Sequence, residues 1–140
     1  MAIHKRLRGA VISVHHGVSR MMAVTLRGVL PMHIACAYAP TAPSPTAVKT
    51  RVYETLRAFI RKLGFGVLLL GGDFNARLWT RLPGEDSHLG PWVWGTPAQH
   101  ATMSVDTLES RDMFMEFCGH LDLCVLPTHF QKSPAHTVTY

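Results

Sequence analysis

The first 53 residues contain no aspartate or glutamate, and Glu54 is the first acidic residue of the chain. A carboxylate that binds a metal or acts as a general base therefore cannot come from the residues before it. Across all 140 residues, 14 lysines and arginines outnumber 9 acidic residues, which gives a formal net charge of +5. A basic balance of this kind favours a polyanionic partner such as nucleic acid.

Cysteines and long apolar runs are also scarce. Cys36, Cys118 and Cys124 are odd in number and lack C-x-x-C spacing, which argues against a zinc site and a disulfide framework. We expect them to be small core residues. No apolar run reaches the ~18 residues that a membrane span needs, and the N-terminus lacks a signal-peptide pattern. We therefore expect an intracellular protein, nuclear or cytoplasmic, that does not associate with membranes.

The composition that remains is that of a globular domain, with 47% hydrophobic and 16% charged residues. A chain of 140 residues is long enough for one such domain. We expect residues 1–8 to be a short basic end without a fold of its own and residues 9–140 to form a single domain. Its oligomeric state cannot be read from these features.

The most informative stretch is an apolar run, Val67 to Leu70, that ends in two glycines and then in Asp73 and Asn75. Such a run predicts a strand buried on both faces. Gly71 and Gly72 would allow a sharp turn and a close approach to a ligand. In an extended segment Asp73 and Asn75 share one face, where they suit a hard cation or a phosphate. The alternative is that both residues serve only a turn.

Alternating apolar residues predict a strand over 11–18 and a hairpin that pairs 22–26 with 32–38. The hairpin delivers Tyr38 to the sheet edge, although packing of its ring with a backbone partner for the hydroxyl would also explain the residue. Apolar spacings of three and four predict a helix over 46–63 that is capped by Gly64. Its cations are expected on the opposite face, either contacting phosphates or solvated: Lys49, Arg51, Arg57, Arg61 and Lys62.

The second half of the chain is less regular. Residues 77–103 read as a long loop whose tryptophans, Trp79, Trp92 and Trp94, could stack on bases or pack against the sheet. Asp106 and Glu109 have capping-box spacing and predict the start of a helix. Its buried stripe is expected to hold Phe114, Phe117, Cys118 and Leu121. Short strands are expected at 123–126 and from 137.

Three segments together resemble the endonuclease/exonuclease/phosphatase superfamily, which includes apurinic-type repair endonucleases and LINE retroelement endonucleases. Residues 72–76 read GDFNA, as in the family signature, and residues 37–40 resemble its Y-x-P motif. Residues 114–130 resemble its later helix and strand. The resemblance runs over about 12–140 and implies an α/β fold, a two-sheet sandwich flanked by helices, incomplete at both ends. A sheet cut short in this way would expose edges and apolar faces and favour self-association.

The resemblance also implies a chemistry. Tyr38 matches the tyrosine that contacts the scissile phosphate, Asp73 the aspartate that positions or activates the nucleophile, and Asn75 the asparagine that orients it. It implies Mg²⁺, or Mn²⁺ in its place, at Asp73 and Asn75, and DNA as the partner. The activity implied is metal-dependent phosphodiester hydrolysis by a retroelement-type endonuclease.

Several family residues have no counterpart in the chain. No acidic residue stands where the family has its metal-binding glutamate, and no Asp-His dipeptide occurs. Ser110-Arg111 and Pro127-Thr128 replace the Asn-Gly and Asn-Thr pairs of the family pattern. Because catalytic groups act as a unit, we expect a weak or inactive hydrolase. Two alternatives are a phosphatase for small phosphate esters and a non-catalytic nucleic-acid-binding remnant.

Overall fold

The computed structural model describes residues 2–18 and 20–131 of the chain. Contacts divide them into two compact units. The sheet unit comprises the chain up to Pro40 together with Ala47–Phe74, and the loop unit comprises Thr41–Thr46 and the chain from Asn75 onwards. The fold is mixed α/β. No helix in the described ranges is long and apolar enough to cross a membrane.

The sheet unit is built on a four-stranded sheet in the order β1-β2-β3-β4. Its strands are β1 (Val11–His16), β2 (Met21–Leu26), β3 (Met32–Tyr38) and β4 (Val67–Asp73). The first three are antiparallel neighbours, whereas β3 and β4 are parallel and joined through a helix, as a parallel pair requires. The predicted hairpin is confirmed. Before β1, Lys5–Ala10 forms a 3-10 helix without buried residues, and the expectation that the basic end has no fold of its own stays a prediction.

β4 departs from its prediction in two ways. It is an edge strand, and Val67 and Leu69 are 43% and 42% exposed, so it is not buried on both faces. The apolar run alone could not show this, because burial of a strand face depends on what covers it. The strand also continues through both glycines to Asp73, where a turn was expected. The side chain of Val14 on β1 is likewise exposed, so the self-association expected of an open sheet stays a prediction.

The connecting helix α1 spans Thr46–Arg61, and Gly64 follows it with a left-handed φ of 81°, as predicted for a C-terminal cap. The spacing of three and four predicts an apolar face that includes Val48, Leu56 and Ile60. The buried residues are Lys49, Tyr53, Leu56 and Ile60, whereas Val48 is 46% exposed. Lys49 lies four residues before Tyr53 and seven before Leu56, so helical geometry places it over the apolar stripe instead of the charged face.

A chain of hydrogen bonds crosses the sheet on the face where Thr25 and His33 are buried. His15 Nε2 lies 2.8 Å from both the Ser13 and the Thr25 hydroxyl oxygens, and Thr25 Oγ1 lies 3.0 Å from His33 Nδ1. His33 Nε2 is 3.3 Å from the Phe65 carbonyl, which can only accept. His33 therefore donates there. Buried polar groups are retained in a core when they are paired in this way.

The loop unit contains the short helix α2 (Pro97–Ala101), the helix α3 (Val105–Leu121) and a 3-10 helix at Leu126–His129. Helix α3 begins two residues earlier than expected, because Ser104 is its N-cap and Asp106 lies within its first turn. Its buried residues include Phe114, Phe117 and Cys118, as predicted. Cys36 and Cys124 are exposed, so the expectation of core cysteines holds only for Cys118.

The strand predicted at 123–126 is reduced to one bridge between Leu89 and Val125, since Pro127 lies in the first turn of the 3-10 helix. The strand predicted from 137 lies outside the described residues. The two-sheet sandwich stays a prediction, because residues 2–18 and 20–131 form the one sheet.

Candidate functional site

The carboxyl ends of β3 and β4 bring two of the predicted site residues together. Tyr38 and Asp73 are paired in the parallel register, each as the last residue of its strand. The Ala39 amide donates to the Asp73 carbonyl at 2.8 Å, which fixes the two strand ends against each other. Both side chains are exposed, Tyr38 to 46%. Carboxyl ends of parallel strands are where open α/β sheets bind ligands.

Gly72 makes this close approach possible. It has a φ of 148°, which side chains rarely adopt, and a Cβ there would collide with the Ala37 carbonyl of the neighbouring strand. Any other residue would push β4 away from β3 just before Asp73. The glycine expected to form a turn therefore acts by bringing two strands together.

Asn75 adopts another conformation than expected. It has a φ of 49°, in the left-handed region, so the segment after Asp73 is not extended and the prediction of a shared face does not hold. Asparagine tolerates this region better than most residues. Asn75 is half-buried and is the first residue of the loop unit at this boundary. Neither the φ of Asn75 nor its burial tests its predicted role of orienting the nucleophile, so that role stays a prediction.

Arg20 is a residue at this edge that the sequence analysis missed. Its guanidinium lies over the Tyr38 ring, 5.5 Å from the centroid, and its carbonyl accepts a 2.9 Å hydrogen bond from the Tyr38 amide. Its φ of 82° is left-handed, an uncommon conformation for arginine. The signal was present in the hairpin register, because Met21 pairs with Ala37 and the residue before Met21 must face Tyr38. We call Arg20, Tyr38 and Asp73 the strand-end site.

Lys49 was predicted on the charged face of α1 but is 1% exposed. It lies in the first turn of α1, the helix that connects β3 to β4, and a helix of this kind begins at the carboxyl edge of the sheet. Tyr38 lies on the exposed face of β3, opposite to the face that carries the buried Ala35 and Ala37.

The acidic residues of the sheet unit are few. Its two are Glu54, exposed on α1, and Asp73. Among the residues that the structure describes, no three histidines, cysteines or carboxylates come close enough to hold a metal ion. One carboxylate and one amide would leave Mg²⁺ dependent on water and substrate phosphates for its six ligands. The residues present do not fit a metal site formed before substrate binds.

The loop unit is organised by a buried arginine. Arg111 is 1% exposed and donates from Nη2 to the Thr80 carbonyl at 3.0 Å and to Glu85 Oε2 at 2.6 Å. The same Glu85 oxygen accepts from the Leu82 amide at 2.7 Å. These contacts fix residues 80–85, part of the segment predicted to be a long loop. The residue that replaces the glycine of the family pattern is thus a core residue.

The tryptophans of this segment are only partly available for stacking. Trp92 is 43% exposed, while Trp79 and Trp94 are half-buried. The Arg77 guanidinium lies 5.4 Å from the Trp79 ring centroid. Stacking on bases stays a prediction for all three.

Comparison with known proteins gives one distant relative. The chain is 25% identical over 143 residues to craniofacial development protein 2 of Bos taurus, a protein related to the endonuclease/exonuclease/phosphatase family. The similarity covers all of the chain and 22% of that protein. The chain thus spans about a fifth of the relative's length. No family model matches the chain, and no solved structure matches it.

Proposed function

We propose that the chain is a domain of the endonuclease/exonuclease/phosphatase type that acts on phosphodiesters in DNA. Its complete form would be the two-sheet sandwich of that family. The proposal draws on the three motifs in register and on the distant relative, whose name states no activity. In this chain we expect the activity to be weak or absent.

The observation that carries the proposal is the register of β3 and β4. It aligns Tyr38 with Asp73 at the carboxyl ends of two adjacent parallel strands, so that both side chains are available to one bound group. The sequence motifs that hold them are separated by more than thirty residues and are brought together by this pairing. A phenol that donates beside a carboxylate that accepts is the minimum for holding a phosphate and orienting a nucleophile near it.

Each residue then has a role. The Tyr38 hydroxyl would donate to a phosphate oxygen, and Asp73 would accept a proton from the attacking water. Asn75 would orient that water. A divalent metal, Mg²⁺ or Mn²⁺, would add charge neutralisation if substrate phosphates completed its ligands around Asp73 and Asn75. Residues 2–18 and 20–131 bring no three metal-binding side chains together, which is the physical reason to expect little turnover.

Nicking of supercoiled plasmid by the purified chain tests this function. We expect weak nicking that requires Mg²⁺ or Mn²⁺ and is lost in Asp73→Ala. Asp106→Ala is the matched control, because Asp106 is an exposed aspartate in the first turn of α3. Nicking that survives Asp73→Ala would contradict the assignment of the site. Vigorous nicking lost in Asp73→Ala would contradict only the expected weakness.

The charge distribution favours a second candidate, a nucleic-acid-binding domain without catalysis. The sheet unit holds ten basic and two acidic residues, a net charge of +8. Phosphate contacts by such a surface would make DNA affinity fall steeply as salt rises. Salt-dependent binding without nicking under any metal would favour this candidate over the hydrolase.

A further inference from the structure

We infer that the sheet unit has a second binding site, a cavity that takes an apolar carboxylic acid. The cavity has a volume of about 420 Å³, within the range of about 300–1,000 Å³ that is typical of small-molecule sites. It lies between the ends of β1 and β2 that the first turn connects and the C-terminal half of α1, and we call it the α1 cavity. The residues that line it include His15, Met21, Thr55, Phe59, Lys62 and Leu63.

The α1 cavity and the strand-end site lie on opposite faces of the sheet. Met21 pairs with Ala37, and paired residues of neighbouring strands project to the same face. Tyr38 follows Ala37 on β3, so its side chain projects to the other face. The inference is therefore independent of the proposed function, and failure of one leaves the other standing.

The chain of hydrogen bonds across the sheet fixes the tautomer of His15. His33 Nε2 donates to the Phe65 carbonyl, so Nδ1 of the neutral imidazole accepts from the Thr25 hydroxyl. A doubly protonated His33 would be a charge at 4% exposure whose partners are a hydroxyl and a carbonyl, which is costly. Thr25 has thereby used its one proton, and its oxygen accepts from His15 Nε2. His15 therefore carries its proton on Nε2 and a lone pair on Nδ1.

The lone pair on His15 Nδ1 is available to a ligand. The hydrogen bonds of His15 to Ser13 and Thr25 both use Nε2, and within the described ranges 2–18 and 20–131 Nδ1 has no partner. The residue is half-buried and lines the cavity. An acceptor that is already held in one tautomer loses little freedom when it binds. The cavity therefore selects a ligand that brings a proton to this nitrogen.

The charge of the lining favours an acid over an alcohol or an amine. No aspartate or glutamate is among the described residues that line the cavity. Lys62 lines it and is exposed, an arrangement in which the apolar stem packs and the ammonium reaches water. A bound acid places its proton on His15 Nδ1: the O–H bond breaks, an N–H bond forms, and the electron pair stays on the carboxylate. That carboxylate pairs with the imidazolium and with Lys62.

The rest of the lining suits a hydrocarbon body. Met21 is buried, and Phe59 and Leu63 are half-buried on the helix side. An alkyl chain placed among them removes apolar surface from water on both sides, which supplies affinity without direction. The acid group supplies the orientation, because His15 and Lys62 are the basic groups that meet it.

Titration of decanoate into the ¹⁵N-labelled full chain tests the site. We expect one molecule to bind and to shift the amides of residues 15, 21, 59 and 62. A long-range ¹H–¹⁵N spectrum of the imidazoles, recorded in mildly alkaline buffer, should show His15 protonated only at Nε2 in the free chain. The complex should show it protonated at both nitrogens, with the second proton taken from the buffer. Decanol, which has no carboxylate, should bind about tenfold more weakly.

His15→Gln tests the imidazole. Glutamine keeps an N–H near the position of Nε2 for Thr25 but has no counterpart of Nδ1, so decanoate affinity should fall about tenfold. His129→Gln is the matched control, because His129 is an exposed histidine of the loop unit. If His15→Gln fails to fold, the imidazole spectrum of the unaltered chain and the lysine variant decide the question.

Lys62→Met tests the ammonium. Methionine keeps an apolar stem and removes the charge, so affinity should fall about threefold, with a smaller loss at high salt. Lys5→Met is the control, because Lys5 is an exposed lysine in the 3-10 helix before β1. Equal binding of decanoate and decanol, or equal losses in His15→Gln and His129→Gln, would overturn the choice of an acid. Amide shifts only at residues outside the cavity, or no binding of decanoate, would overturn the site.

Discussion

The two units of the chain differ in charge and in how their chains are fixed. The sheet unit carries +8, and the loop unit, with four basic and seven acidic residues, carries −3. The net charge of +5 for the whole sequence does not show this contrast. We therefore expect a polyanion to bind to the sheet unit, which also holds the strand-end site.

The packing differs as well. In the sheet unit, β-ladder hydrogen bonds set the positions of the backbone, and the residues at the carboxyl edge are placed by register. In the loop unit, long stretches without strands depend on a few side chains, above all on Arg111. The first unit should therefore be sensitive to backbone changes and the second to the loss of individual polar side chains.

Arg111→Met is expected to have the largest effect. It would remove the cation from a buried pair and leave Glu85, whose side chain is 14% exposed, without its partner. Loss of one member of a buried pair costs about 3–5 kcal/mol of unfolding free energy. Urea unfolding followed by circular dichroism would measure it.

The control for Arg111→Met is Arg81→Met. Arg81 pairs with Asp86 at 3.0 Å, but the two side chains are 36% and 68% exposed. A surface pair of this kind is worth about 0–1 kcal/mol. Similar losses in both variants would mean that the buried pair does not organise the loop unit.

Gly72→Ala tests the sheet unit through its backbone. The added Cβ would meet the Ala37 carbonyl and would also force a non-glycine residue to a φ of 148°, so we expect a loss of about 1–3 kcal/mol. The neighbouring Gly71→Ala is the control, because nothing lies within 4 Å of its Cβ position. That change should be neutral or slightly stabilising. Urea unfolding of both variants would show the difference, and equal results would contradict the account of the close strand approach.

The elements of the sheet unit were predictable because their signals are local. Alternation along β2 and β3 and the spacing of three and four along α1 each follow from one segment of sequence. Exposure of Val67 and Leu69 was not predictable, since it depends on what covers that face of the sheet. The start of α3 was misplaced because Ser104 and Asp106 are both good capping residues, and only the structure shows which one caps.

The site was predictable only in part. The resemblance to the family motifs identified Tyr38 and Asp73, which are paired in the structure. It also gave Asn75 the role of orienting the nucleophile, which stays a prediction because its left-handed φ does not test it. Arg20 belongs to no motif. It became visible through strand register, which is a property of contacts between distant segments.

The smallest expected effect concerns the cysteines, of which the sheet unit has one exposed and the loop unit one buried and one exposed. Burial raises the pKa of the Cys118 thiol from its ordinary value of 9.0 to about 12, and the nearby Cys124 adds to the shift. Cys36 and Cys124 are exposed. Since the thiolate is the reactive form, iodoacetamide should modify Cys36 and Cys124 in the native chain and Cys118 only after unfolding.

The raised pKa of Cys118 also sets the direction of a pH effect. The folded state keeps this proton to a higher pH than the unfolded state, so its contribution to stability is fully present below pH 9.0 and is lost as pH rises towards about 12. Cys118→Ala should reduce that alkaline loss, apart from the constant cost of the smaller side chain. Urea midpoints measured across this range would test it, and rapid native alkylation at Cys118, mapped by mass spectrometry, would contradict the assigned burial.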